Sequence, residues 1–208
     1  MSWMKRSQLP VLFALVVALG GCGNLGVPPQ RFMFFDLGLV EPVAPPPLYV
    51  PARVEVRAPS WLSSGAMQYR IDYRQPAQRE AYTEARWVAE PAEMLRVSLD
   101  RALAAHASPD GGCRLRIELD EFVQVFDNER DSHAAIVGRA VLLAPRSDVE
   151  VARRVLVATE AAPTPDASGG VIAHRRAVRQ LASEIATWLT GLDPLEGQGL
   201  NIAGRCKR

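Results

Sequence analysis

The sequence predicts an α/β fold: one layered domain in which two long amphipathic helices pack on a mixed, largely antiparallel sheet of about six strands. Three observations point there. Apolar and polar residues alternate in several short runs, the period of half-buried strands. Two longer windows space their apolar residues three and four apart, the period of amphipathic helices. Between residues 113 and 161 three strand-like runs follow one another with only polar turns between them, the pattern of an antiparallel meander.

Taken in order, RFMFFDLGL (31–39) is apolar on both faces and reads as a first strand. The proline-dense stretch 40–51 suits neither helix nor central strand and reads as an extended connector. Val54 and Val56 then alternate with Arg53, Glu55 and Arg57. After a turn at 60–65, Met67, Tyr69, Ile71 and Tyr73 oppose Gln68, Arg70, Asp72 and Arg74, and these two strands are expected to pair antiparallel. QPAQREAYTEARW (75–87) is charged and reads as irregular. Pro91 suits the first position of a helix, where its missing N–H costs nothing. Ala92, Leu95, Leu99, Ala102 and Leu103 form the stripe of that helix, which is expected to reach His106.

The meander opens with Leu115, Ile117, Leu119, Val123 and Val125 in one phase and Phe122 and Phe126 in the other. HAAIVGRAVLLA (133–144) is apolar on both faces, hence central, and 149–161 returns the chain. A loop (162–170) leads to the last helix, with Val178, Leu181, Ala182, Ile185, Trp188 and Leu189 on one face. Gly191 is placed to close it in a left-handed cap.

The N-terminus carries a different signal. Lys5 and Arg6 precede an apolar run, Leu9–Leu19, that is too short to span a bilayer, which takes roughly 20 residues. Positive start, short apolar middle and small residues make a secretory leader. Leu19-Gly20-Gly21-Cys22 resembles a bacterial lipobox, in which the cysteine is acylated and the leader is cut before it. The organisation that follows is a leader (1–21), a tether (22–30), a domain (31–191) and a tail (192–208). Gly23, not Asp, follows the cysteine. By analogy with the sorting rule of enteric lipoproteins, this implies the periplasmic face of the outer membrane, with the inner membrane as the alternative.

The chain has 24 Lys+Arg and 23 Asp+Glu, and loss of Lys5 and Arg6 leaves it close to neutral. That balance argues against a nucleic-acid partner and against polybasic attachment to anionic lipid. Of three cysteines, Cys22 is assigned to lipid, leaving Cys113 and Cys206 as an even pair in an oxidising compartment. They are expected to form a disulfide tying the tail to the start of a strand, two free thiols being the alternative.

No catalytic set stands out. His106, His133 and His174 come from different elements, without zinc-ligand spacing, and read as surface or loop residues. There is no nucleophile elbow and no phosphate-binding loop. Ser168-Gly169-Gly170 reads as a flexible helix entry, and the acidic turn around Asp127, Glu129 and Asp131 lacks calcium-loop spacing. No metal or cofactor is expected. A hydrolase would require a histidine and a carboxylate beside Ser63 or Ser64. Trp61, Leu62, Tyr82 and Trp87 lie off any periodic stripe, so each is either a core plug or an interface anchor.

The order of features resembles that of the ABC-type transport auxiliary lipoprotein family (the PqiC-like group). It runs from the lipobox through FMFFDL, a proline-rich link, WLSSGAMQYR, EARWVAEPAEMLRVSLDRAL and LRIELDEFVQVF to a final amphipathic helix. The local match is strongest at Arg86-Trp87, Pro91 and the helix after them. The resemblance implies a periplasm-facing lipoprotein accompanying an ABC transporter whose MCE-type lipid-binding protein moves phospholipids or other apolar molecules between membranes. It implies docking rather than catalysis. A homo-oligomer is compatible with it, and an outer-membrane assembly lipoprotein without an ABC partner is the alternative. Trp61, Leu62, Arg86 and Trp87 are the candidate partner-binding residues; the tail beyond Gly191 is not demanded by the family pattern.

Cys22→Ser is expected to release the protein from the membrane fraction or leave its leader uncleaved. Membrane fractionation and the intact mass check this, and unchanged values for both refute it.

Overall fold

The computed structural model describes residues 31–43, 50–104, 112–192 and 202–206. A compact unit spans Phe32–Arg208, so it takes in the C-terminal tail; of the preceding unit, Met1–Arg31, only Arg31 is described, and Cys22 lies outside the described residues.

Seven strands form one sheet: β1 (Met33–Phe35), β2 (Arg53–Arg57), β3 (Ala66–Ile71), β4 (Glu80–Trp87), β5 (Arg114–Phe126), β6 (Ser132–Leu143) and β7 (Glu150–Ala161). Their order is β1-β4-β3-β5-β6-β7, with β2 also on β5. Helices α1 (Pro91–Ala102) and α2 (Ala167–Thr190) pack on it, and a short α3 (Ile202–Arg205) follows. The mixed α/β fold is as the sequence predicts, and β5, β6 and β7 are the antiparallel meander.

Several local expectations change. β2 and β3 do not pair with each other. Both run parallel to β5, β2 along Arg114–Glu118 and β3 along Gln124–Phe126, so they lie end to end on one edge. Alternation specifies which side of a strand is buried, not which strand lies beside it. The connection, a single 3-10 turn at Ser60–Leu62, carries the chain onward instead of reversing it.

The segment read as irregular contains β4. Its partner β1 covers only Ala85–Trp87, so the outer edge of Glu80–Glu84 faces water, where charged residues are ordinary. The strand therefore has no run of apolar residues to announce it.

The phase of β5 breaks in mid-strand. Its register with β6 shifts between Leu119 and Glu121, leaving Asp120 as the extra residue of a β-bulge. Leu115, Ile117 and Leu119 face the helices before it; Phe122 and Gln124 face them after it, while Val123 is buried outside the main core. Opposite the bulge, Gly138 is required: a Cβ there would lie 2.4 Å from the Glu118 carbonyl oxygen.

Pro91 does open α1, which ends at Ala102, short of His106; residues 105–111 lie outside the described set. The entry to α2 is not flexible. Asp166 caps it, accepting a 2.7 Å hydrogen bond from the Gly169 N–H, and Ser168-Gly169-Gly170 is already helical. Gly170 brings the helix against β5, where a Cβ would meet the Gln124 side chain at 2.0 Å. Gly191 ends α2 in the right-handed region (φ −81°), not the left-handed one.

His174 is a core residue, not a surface one. It lies between Trp87 and Phe122, with ring centroids at 5.4 and 4.5 Å. Its Nδ1–H donates to the Gly170 carbonyl (2.8 Å), and its buried Nε2 has no partner among the described residues. Burial lowers its pKa to about 4, against the opposing pull of the Gly170 carbonyl.

The tail also docks. Ile202 is fully buried, and Cys206 is bonded to Cys113, with a Cα separation of 4.8 Å and a sequence separation of 93. Among the described residues of the tail, Ile202 is the buried apolar side chain that seats it, with Leu192 and Cys206 packed beside the core.

Two predictions follow from these contacts. Reduction of the disulfide, or Cys206→Ser, is expected to lower stability by up to about 4–5 kcal/mol through the added freedom of the unfolded chain. Urea unfolding with and without reductant measures it, and coincident midpoints would show that the bridge contributes nothing. For His174, the folded protein keeps the ring neutral while the unfolded chain protonates it below about pH 6.5. Stability is therefore full above that pH and falls as pH drops towards 4, by about 3 kcal/mol at roughly 1.4 per pH unit. His174→Leu should flatten this part of the pH profile; an unchanged slope assigns it to other groups.

Candidate functional site: two clefts flanking the first helix

The outward residues of β2 meet those of β5 in register, Arg53 beside Arg114 and Glu55 beside Arg116. Glu55 accepts from Arg53 (2.5 Å) and Arg114 (2.7 Å) and lies 3.4 Å from Arg116. Asp148, from the β6–β7 turn, binds both Arg114 and Arg116 at 2.9 Å. Burial pushes the Glu55 carboxyl up, but the guanidinium groups of Arg53 and Arg114 outweigh it and hold the carboxyl below its usual range. Arg114, then Arg116, do the same for Asp148. On the other side, Asp100 of α1 pairs with Arg96 (2.9 Å) and accepts the Val54 N–H (3.2 Å). These groups line a cleft of about 880 Å³ along β2. Carboxylates clamped by arginine are poor proton shuttles, so the arrangement suits binding rather than general acid–base chemistry.

A second cleft, of about 320 Å³, is apolar. Leu37 and Leu39 form one wall, Val88 and Ala89 another, and Met94 and Val97 of α1 the third. The chain turns here at Gly38 (φ +66°), whose N–H is held by Asp36 Oδ1 at 2.7 Å. A Cβ at Gly38 would meet the Arg175 guanidinium at 2.6 Å, so glycine answers both the turn and the close approach. Leu39 is 78 % exposed, Val88 56 % and Val97 52 %. Nearby in sequence, β1 leaves Met33 and Phe34 exposed, and Arg86 stacks over the Phe32 ring at 4.8 Å.

The four candidate partner-binding residues separate. Trp61 is 54 % exposed, its carbonyl accepting from Gln68 at 2.6 Å. Arg86 is half-buried, donating to the Tyr82 and Ala85 carbonyls. Leu62 and Trp87 are core residues, and the surface role drawn for them is corrected: Leu62 is 1 % exposed, and Trp87 packs edge-on to Phe122. Arg86 and Trp87 are adjacent on a strand, so they point to opposite sides.

Phe34, Leu39, Val88 and Val97 were not singled out by sequence reasoning. The one readable signal was Val97, an apolar residue off the stripe of α1. Among the described residues the histidines do not assemble with Ser63 or Ser64 either. His174 is buried, His133 pairs with Asp127 (2.9 Å) beside the β5–β6 turn, Ser63 and Ser64 lie on the turn before β3, and His106 is outside the described residues. Among the described residues no cluster of His, Cys, Asp and Glu could hold a metal, and no helix is long and apolar enough to cross a membrane.

Two solved structures share the fold. Protein XCC0632 from Xanthomonas campestris, of family DUF330, is 23% identical with a TM-score of 0.64, covering 76% of this chain and 95% of its own. A second, titled only an uncharacterized protein, is 14% identical with a TM-score of 0.59, covering 77% and 99%. At these identities the likeness speaks for the fold alone. No curated protein matches the chain. The family model described as the ABC-type transport auxiliary lipoprotein component matches residues 54–186, from β2 into α2, taking in the arginine-lined cleft except Ala52 and Arg53, and the α1 wall of the apolar one. The chain belongs to the family of ABC-type transport auxiliary lipoproteins.

Proposed function

We propose that this chain is the docking component of an MCE-associated ABC transport system that moves phospholipids or other apolar molecules between membranes. It is held by lipid on Cys22, at the periplasmic face of the outer membrane, and engages an MCE-type lipid-binding protein. The observation that carries the reading is the apolar cleft floored by buried Leu37 and rimmed by Leu39, Val88 and Val97, whose exposed side chains gain most by being covered. The clamped carboxylates of the neighbouring cleft support binding over catalysis, and the family's description as a transport component favours an ABC partner over an assembly role without one.

Val97→Asp places a charge in the apolar cleft without touching the core. It is expected to weaken recovery of the MCE-type protein in pull-down by about tenfold or more, the scale of one interface anchor of ~1.4 kcal/mol. Trp61→Ala tests the second surface in the same assay. Recovery unchanged by either variant would remove both surfaces from the interface, and recovery of an outer-membrane assembly partner in place of transporter subunits would overturn the transport reading.

A further inference from the structure

β7 ends the sheet. Its inner edge pairs with β6 at eleven of its twelve residues, and among the described residues no strand pairs with its outer edge. Long open edges are ordinarily blunted by charge, by proline, by a bulge or by a covering element. β7 has a bulge near its start, where Val151 is the extra residue, and charges of both signs, but it contains no proline, and from Ala152 to Ala161 its pairing with β6 runs unbroken. Val155 and Val157 stand 66 % and 51 % exposed on the side away from the helices, beside Val137 of β6 in register with Val157. Arg154 and Glu160 lie on the other side, in register with the core residues Ala140 and Ala134. Arg153 pairs with Glu150 at 2.6 Å, but neither Arg154 nor Glu160 forms an ion pair among the described residues.

We propose that this edge binds a second copy of the chain, β7 to β7, antiparallel about a two-fold axis through Val157. The sequence of the strand selects the register. With Val157 opposite its own copy, Arg154 falls opposite Glu160, and the symmetry makes that pair twice. Val155 falls opposite Thr159, and the exposed valines join across the axis into one apolar strip. A register centred on Leu156 or on Ala158 leaves both charges opposite apolar residues, and one centred on Arg154 sets that arginine against itself. One alignment therefore pairs the two charges of β7 that form no ion pair among the described residues and joins the two exposed valines of β7 to those of its copy. An unrelated partner strand would have no reason to find its complement already written in β7.

The test uses the full-length chain in membranes. Val157→Cys, oxidised with copper phenanthroline, is expected to give a reducible band of twice the mass, above that of the unsubstituted chain. Adding Arg154→Glu should cut that band at least tenfold, and adding Glu160→Arg to the same chain should restore it. For register, Val155→Cys should cross-link to co-expressed Thr159→Cys and poorly to itself. The proposal is overturned if Val157→Cys, present at normal level in the membrane, gives no such band. It is equally overturned if Arg154→Glu leaves the band unchanged, or if Val155→Cys cross-links to itself as readily as Val157→Cys does.

Discussion

The fold depends on one strand having two partners on the same edge. β5 holds β6 along its whole length on one side, while on the other it accepts β2 at its start and β3 at its end. β3 in turn carries β4, and β4 carries β1. Every strand before α1 is thus joined to the rest of the sheet through the backbone groups of thirteen residues. The bulge at Asp120 reconciles the two halves. Without the extra residue, Phe122 and Gln124 would point away from the helices, and the second half of the core would lose its floor.

Gln124 shows how tightly that floor is specified. It is buried, and its amide donates to Ser132 Oγ (2.9 Å) and to the Asp166 carbonyl (3.2 Å), while its carbonyl accepts from the Tyr82 hydroxyl (3.0 Å). One side chain therefore ties β5 to β6, to β4 and to the residue that caps α2. Buried polar groups cost free energy unless they are satisfied, so this set fixes a single seating of helix on sheet. Burial of Tyr82 beside Asp166 and Tyr69 keeps its hydroxyl protonated and available as the donor.

The sequence was most legible where one periodicity ran unbroken. The stripe from Val178 to Leu189 buries one side consistently, and the three late strands are long and separated by polar turns, so period in the first and length in the others find them. It was least legible where pairing depends on residues far away. Nothing within Arg53–Arg57 records that its neighbour is Arg114–Glu118, and nothing within Glu80–Trp87 records that three residues near the N-terminus cover its far end. A bulge hides because it is the interruption of the pattern being sought. The sites follow the same rule. Trp61 could be flagged from its turn, but telling it from Leu62, its buried neighbour, takes the fold. The apolar cleft gathers residues from three segments, each unremarkable by itself.

The parallel seats of β2 and β3 carry a kinetic consequence. Antiparallel neighbours joined by short turns form early, because closing a small loop costs little entropy; parallel partners some sixty residues apart wait until that cost is met. The meander of β5, β6 and β7, closed over by α2, can organise from local contacts, as can the antiparallel pair β3–β4. β2 and that pair have no edge to join until β5 is in place. Synthesis delivers the strands in the reverse order, so the N-terminal half leaves its source with its hydrophobic residues uncovered and its hydrogen-bonding edges vacant. For such a topology, solubility before folding is a matter of timing: what protects the early half is how soon the late half arrives.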